Sequence, residues 1–273
     1  MSPGAEREEG GGRRAALERL RADPARTAVL TDVDGTLAPI VERPEQAAVP
    51  QRASELLEAL SARFGLVGCI SGRQALEARR LVAVDGIAYA GNHGLELLLP
   101  GEQAPRLDPA LAGQERGAAE FAAALDPAEL TSVGLRLEDK GPIQSLHWRG
   151  AIDERGAEAH AHEVAAAAGR AKLEPHWGRK VLELRPVGGG GKDAAIAALL
   201  ATGGVSAAIY AGDDRTDLDA FRRLRELRGG GELESVVCVG VISREAPPEL
   251  AEEADLLVDG PPGWLAILET LAE

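Results

Sequence analysis

The feature that most restricts the fold is a repeated pairing of a short apolar run with a polar turn. Thr27–Thr31 runs straight into Asp32-Val33-Asp34-Gly35-Thr36. Residues 65–70 lead into Ser71-Gly72-Arg73, and residues 207–211 lead into Gly212-Asp213-Asp214-Arg215-Thr216-Asp217. Short apolar runs bounded by turn residues predict strands buried on both faces. Helical spacing predicts helices over 13–22, 50–63, 74–82, 193–201, 218–227 and 262–271, with further strands over 87–90 and 236–241. This alternation predicts an α/β fold with a parallel sheet covered on both faces. Open sheets of this kind bind ligands at the C-terminal ends of their strands, where the polar clusters fall. Residues 1–12, rich in Gly, Glu and Arg, are expected to be disordered.

The middle of the chain follows another pattern. A helix is expected over 111–125, strands over 132–138 and 143–148 around a turn at 139–142, a helix over 154–168, and strands over 171–174 and 180–184. This order predicts a second, α+β domain inserted into the first. The expected division is a tail and short helix at 1–26, a catalytic core from 27–106 and 187–273, and an inserted cap at 107–186. The glycine run 188–191 reads as a flexible linker back into the core.

The net charge of −14 over 273 residues argues against nucleic acid or an anionic lipid surface as partner. An anionic substrate is also repelled at long range, so its site must supply local cations. No stretch approaches the roughly 20 apolar residues that span a bilayer, and the N-terminus has no secretory apolar core. A cytoplasmic, monomeric protein is the expectation. Cys69 and Cys238 each sit in an apolar run and read as buried strand thiols.

Asp32 and Asp34 carry the clearest chemistry. Asp carboxyls ordinarily titrate near about 4, so Asp32 can act as a nucleophile at neutral pH. Asp34 can protonate a leaving oxygen and later deprotonate a water. An Asp-Gly turn with a capping Thr accounts for Asp34, Gly35 and Thr36, but not for an Asp that ends a buried strand. The carboxylates at 213–217 suit a hard cation such as Mg²⁺, since two of them about 4 Å apart repel by roughly 4 kcal/mol at an effective dielectric of about 20. A solvated helix N-terminus also suits Asp214 and Asp217. Ser71-Gly72-Arg73 fits either a phosphate cradle or a plain helix cap. Lys192, after four glycines, fits either a phosphate-neutralising cation or a surface lysine.

In this order, these pieces resemble the haloacid dehalogenase superfamily of phosphatases. The resemblance implies that Asp32 is nucleophile and metal ligand, and that Asp34 is acid/base and offers a backbone carbonyl to Mg²⁺. It implies that Ser71 and Lys192 hold the phosphoryl group and that Asp213, with Asp217 close behind, completes the metal site. Within the superfamily the chain is similar to the trehalose-6-phosphate phosphatase family from about Thr27 onward. The matching pieces are residues 32–40, 71–73, 93–96, 138–141, 147–149, 183–186 and 212–221. That likeness implies hydrolysis of trehalose 6-phosphate, with Gly72, Arg73, His93, Glu138, Lys140, His147, Arg149, Glu183 and Arg185 binding substrate. Glu138, Lys140 and Glu183 are implied to bond sugar hydroxyls; each also reads as part of a surface ion pair on a hairpin. Sucrose phosphate or mannosylphosphoglycerate phosphatases and phosphomannomutase-like enzymes share the catalytic parts, and a non-catalytic sensor of trehalose phosphate is the option from another class. Asp193, where the family usually has Gly, is a departure; it is expected to cap the helix and point away from Lys192.

Overall fold

The computed structural model describes residues 14–41, 46–111, 114, 116–244 and 246–273. The tail expected at 1–12 lies outside the described residues. By its internal contacts the chain divides into two compact units, one of residues 1–106 with 190–273 and one of residues 107–189.

The first unit opens with helix α1 (14–22), strand β1 (Thr27–Thr31), helix α2 (Gln51–Ser61), β2 (Leu66–Ile70), α3 (Ala75–Val82), β3 (Ala88–Gly91), β4 (Glu96–Leu98) and β5 (Arg106–Leu107). The inserted unit holds α4 (Gly117–Ala123), α5 (Pro127–Ser132), β6 (Arg136–Asp139), β7 (Gln144–His147), α6 (Glu154–Arg170), β8 (Leu173–Gly178) and β9 (Val181–Pro186). The chain returns through α7 (Lys192–Gly203), β10 (Ala207–Gly212), α8 (Asp217–Gly229), β11 (Ser235–Ile242), α9 (Pro248–Glu253), β12 (Leu256–Asp259) and α10 (Gly260–Ala272).

The large sheet has the order β12-β11-β10-β1-β2-β3-β4-β5. The pairs from β12 across to β3 are parallel, and β4 runs antiparallel to β3. Every residue of β1 and β2 is buried. The period-two alternation of a strand splits their side chains between two cores. Val29, Val67 and Ile209 pack with Leu57, Leu60 and Ile267 from α2 and α10. Ala28, Leu30 and Tyr210 pack with Ile196, Leu199 and Phe221 from α7 and α8. β1 lies between β2 and β10 and is parallel to both, so the C-terminal ends of these three strands form one rim. Cys69 and Cys238 are buried free thiols, as expected, and burial pushes both well above the ordinary thiol range.

The inserted unit is an antiparallel sheet of order β6-β7-β9-β8. Leu146, Leu182 and Leu184 face a core shared with Ala157, Ala161 and Val164 of α6. The alternate residues carry the unit's polar face.

Two local expectations need correction. The single helix expected over 111–125 is a 3-10 turn at Pro109–Leu111 followed by α4, with α5 after it; residues 112, 113 and 115 lie outside the described residues. A new helix starts at Pro127 because Asp126 caps it, its Oδ1 accepting from the Ala128 N–H at 2.8 Å. The strand expected from 132 begins only at Arg136, after Gly134 turns the chain with φ +83°. The glycine run carries the chain back to α7. Gly188, Gly190 and Gly191 all have positive φ, and the Gly191 N–H donates to the His93 carbonyl at 2.7 Å.

Candidate active site

Asp32 follows β1 directly and is buried, its N–H donating to the Ala211 carbonyl of β10 at 2.8 Å. The Lys192 ammonium, at the start of α7, donates to Asp32 Oδ1 at 2.7 Å and to Asp217 Oδ1 at 2.6 Å. All three groups are buried. Burial opposes the charge on Lys192, but the Asp217 and Asp32 carboxylates outweigh it and raise its pKa well above the ordinary lysine range. Burial also raises Asp32, with Lys192 opposing and the Asp217 and Asp213 charges adding to the rise. The surface-lysine reading of Lys192 is thereby excluded. Asp193 lies exposed in the first turn of α7, with its Oδ1 2.2 Å from where a Cβ on Gly191 would stand.

Asp32, Asp213 and Asp217 each place a carboxylate oxygen within 4.8 Å of the others. At an effective dielectric of about 20, each such pair repels by roughly 3–4 kcal/mol. One lysine cannot balance three buried carboxylates, so the group fits a divalent cation with oxygen ligands. The three are not equivalent. Asp217 Oδ2 accepts from the backbone N–H groups of Asp213 and Asp214, both at 2.9 Å. Its Oδ1 accepts from Lys192 and from the Tyr210 hydroxyl. Four protein donors occupy it, which suits a group that orients the loop and the lysine. Asp213 packs against the turn at Gly35, where an added Cβ would lie 2.3 Å from Oδ2. Asp214 lies well below the ordinary carboxylate range; burial opposes this, but Lys192 and two bonds from Thr216 prevail.

Asp34 stands beside the cluster with its carboxylate gripped by Arg73, Nε to Oδ2 at 2.7 Å and Nη2 to Oδ1 at 2.8 Å. Arg73 also pairs with Glu77 one helical turn on. The guanidinium expected on substrate is thus engaged by two carboxylates. Ser71 is fully buried, and its Oγ accepts from the Arg73 N–H at 3.1 Å. His93 has φ +55°, donates its N–H to the Ser71 carbonyl at 2.9 Å, and lies so close to Gly72 that a Cβ there would be 2.6 Å from Nε2. Asn92 and the N–H of Ala75 bind Glu96 at 2.9 and 2.8 Å, which fixes the segment carrying His93 to the start of α3.

A second polar cluster occupies the inserted unit. Glu138 binds His147 Nε2 at 2.7 Å, and Lys140 lies 3.8 Å from Glu138 and 3.2 Å from Glu183. Arg185 donates to Glu183 Oε2 through Nε at 3.1 Å and Nη2 at 2.6 Å. Lys140, Glu183 and Arg185 are buried, which is unlike a solvated surface pair. Arg149 stands apart. It lines a cavity of about 690 Å³ with Leu130, Arg136 and Ile152, and donates to the Arg179 carbonyl at 3.4 Å.

Tyr210, Glu77, Asn92 and Glu96 escaped the sequence reading as site residues. Tyr210 is one more apolar-looking position of a buried strand, and Glu77 is one more acid in a helix's first turn.

Comparison with known proteins places this geometry. The family model described as trehalose-phosphatase matches residues 30–250. A "probable trehalose-phosphate phosphatase 9" of Oryza sativa is 34% identical over 232 residues, covering 76% of this chain and 61% of that protein. An "uncharacterized glycosyl hydrolase" of Mycobacterium tuberculosis is 38% identical over 209 residues, covering 73% of this chain and 15% of that protein. The chain therefore spans less than two thirds of the length of these relatives. The C-terminal domain of Candida albicans trehalose-6-phosphate phosphatase superposes with a TM-score of 0.74 at 22% identity, covering 95% of this chain and 96% of that one. The fold read from the sequence, a haloacid dehalogenase-like parallel sheet with an inserted α+β unit, is the fold observed. No helix among the described residues is long and apolar enough to cross a membrane. The chain belongs to the trehalose-phosphatase family.

Proposed function

We propose that this protein hydrolyses trehalose 6-phosphate to trehalose and phosphate, with Mg²⁺ as cofactor and a phospho-aspartate as intermediate. The observation that carries this reading is the buried Asp32–Lys192–Asp217 chain at the end of β1, with a second carboxylate, Asp34, two residues beyond the nucleophile. Membership of the trehalose-phosphatase family and the name of the Oryza relative support the substrate.

An Asp32 carboxylate oxygen attacks phosphorus, and the bond from phosphorus to the sugar oxygen breaks. Asp34 gives its proton to that departing oxygen. Asp34 then takes a proton from the water that attacks the phospho-aspartate, which frees phosphate and restores Asp32. Lys192 offsets the negative charge that gathers on the phosphoryl oxygens and on Asp32. Asp32 and Asp213, with the Asp34 backbone carbonyl, would hold Mg²⁺, which when bound supplies further positive charge to the phosphoryl group. Asp217 keeps Lys192 and the 213–214 loop in place. The phosphate-side groups, Ser71 and the backbone around Gly72, can serve any monoester. The Glu138, Lys140, His147, Glu183 and Arg185 cluster supplies the charged donors and acceptors that reward a polyol.

The test is phosphate release from a panel of sugar phosphates with Mg²⁺ and with excess chelator. Trehalose 6-phosphate should give the highest kcat/KM, chelation should abolish turnover, and Asp32→Asn should leave no covalent intermediate. Preference for another sugar phosphate would overturn the substrate assignment. Near-parent activity of Asp32→Asn would overturn the covalent route.

A further inference from the structure

The register of the inserted sheet aligns Glu138, Ser145, Glu183 and His176 in one row across β6, β7, β9 and β8. Directly opposed residues share a face, with Cβ atoms about 5 Å apart. Ser145 therefore sits between the two glutamates of the polar cluster. It is 0% exposed, and its Oγ has no hydrogen-bond partner among the described residues.

That is an unfavourable state for a hydroxyl. A buried polar group without a partner loses its hydration and gains nothing in return. The flanking carboxylates do not relieve it, because both are turned to cations: Glu138 to His147 and Lys140, Glu183 to Lys140 and Arg185. Alanine would fit the same space on β7 without that cost. A site built from matched charges, with one unmatched hydroxyl at its centre, is complete only when another hydroxyl arrives.

We propose that Ser145 is a specificity-determining residue that hydrogen-bonds a hydroxyl of the sugar. This deepens the reading above, on which it rests, because it assigns the sugar to this row of the sheet. A sugar hydroxyl both donates and accepts. It takes the Ser145 O–H and gives its own proton to Glu138 or Glu183, so donors and acceptors balance along the row. The surrounding charged side chains open to the ligand as they turn to its other hydroxyls. A phosphate or a simple aryl group offers no such donor.

The test compares Ser145→Ala with the parent on trehalose 6-phosphate and on p-nitrophenyl phosphate, with Tm measured for both proteins. We expect kcat/KM for trehalose 6-phosphate to fall about tenfold, the loss of one neutral hydrogen bond. Hydrolysis of p-nitrophenyl phosphate should stay within about twofold, and Tm should hold or rise as the unpaired hydroxyl is removed. Ser145→Cys, close in shape and a weak donor, should show the same split and covers the case of an alanine variant that does not fold. Equal changes on the two substrates, or no change on either, overturn the proposal. So does a lower Tm with the sugar phosphate unaffected, which marks a hydroxyl satisfied by buried water. A parent inactive on trehalose 6-phosphate overturns the substrate reading instead, and the Ser145 comparison is then made on the sugar phosphate that the parent does hydrolyse.

Discussion

Arg73 clamps Asp34 through two parallel bonds, Nε to Oδ2 at 2.7 Å and Nη2 to Oδ1 at 2.8 Å, while its own position is set by Glu77. Fork-to-fork pairing fixes the carboxylate in direction as well as in place. The residue proposed as acid and base is therefore oriented by the loop that follows β2.

Arg73→Leu should release that carboxylate. Acid/base catalysis contributes typically 10²–10⁴-fold, and we expect Arg73→Leu to lose roughly 10–100-fold of it in kcat for a sugar phosphate. The loss should be several-fold smaller for p-nitrophenyl phosphate, whose leaving oxygen needs little protonation. Arg73→Lys, a cation without the fork, should recover only part. Kinetics on leaving groups of graded pKa check this; parallel losses across the series would mean that Arg73 serves the fold alone.

Gly35→Ala should impair the cation site without replacing any carboxylate residue. Gly35 has φ +98°, and a Cβ there would lie 2.3 Å from Asp213 Oδ2 and 2.5 Å from Oδ1. Either the turn or Asp213 must move. A cation that binds only the folded parent at 100 times its Kd stabilises it by about 2.7 kcal/mol. Thermal melts with and without Mg²⁺ should show that increment in the parent and most of it gone in Gly35→Ala.

Lys192→Met should destabilise the metal-free protein by about 3 kcal/mol, because it leaves Asp32 and Asp217 buried without their cation. Denaturant titrations in chelator measure the cost. Mg²⁺ should restore more stability to Lys192→Met than it adds to the parent, since it then offsets the larger uncompensated charge. Turnover should stay low even with Mg²⁺.

Glu183→Ala should separate recognition from chemistry. It removes the carboxylate shared by Lys140 and Arg185. A lost charged hydrogen bond corresponds to about 2–3 kcal/mol, or roughly 30–150-fold in kcat/KM for trehalose 6-phosphate. Steady-state kinetics on p-nitrophenyl phosphate should change little. A comparable loss on both would assign Glu183 to support of the sheet.

The strands that end at Thr31, Ile70 and Gly212 were legible because a strand covered on both faces leaves a mostly apolar run, and the polar cluster after it marks its end. The inserted unit was legible in outline, from alternation in 132–138 and 143–148. Helix α6 was legible too, but α4 and α5 were not, since the Ala-rich stretch before Asp126 reads as one helix until the cap at Asp126 and the proline after it are seen to divide it. Strand β12 and helix α9 were also missed; β12 is half exposed, and α9 is a single short stretch between prolines and acids.

Residue type and local period thus announced which side chains carry charge at a strand end, and which runs are buried. They did not announce the partners. Asp34 and Arg73 are 39 residues apart, Lys192 and Asp32 are 160 apart, and Glu183 and Lys140 are 43 apart. Tyr210 reads as a core residue until Asp217 is found at its hydroxyl. Period and polarity report only how far a position lies from water. Which charge neutralises which depends on the order in which strands enter the sheet: β10 beside β1 brings Asp213 and Asp217 to Asp32, and β7 between β6 and β9 sets Ser145 between Glu138 and Glu183.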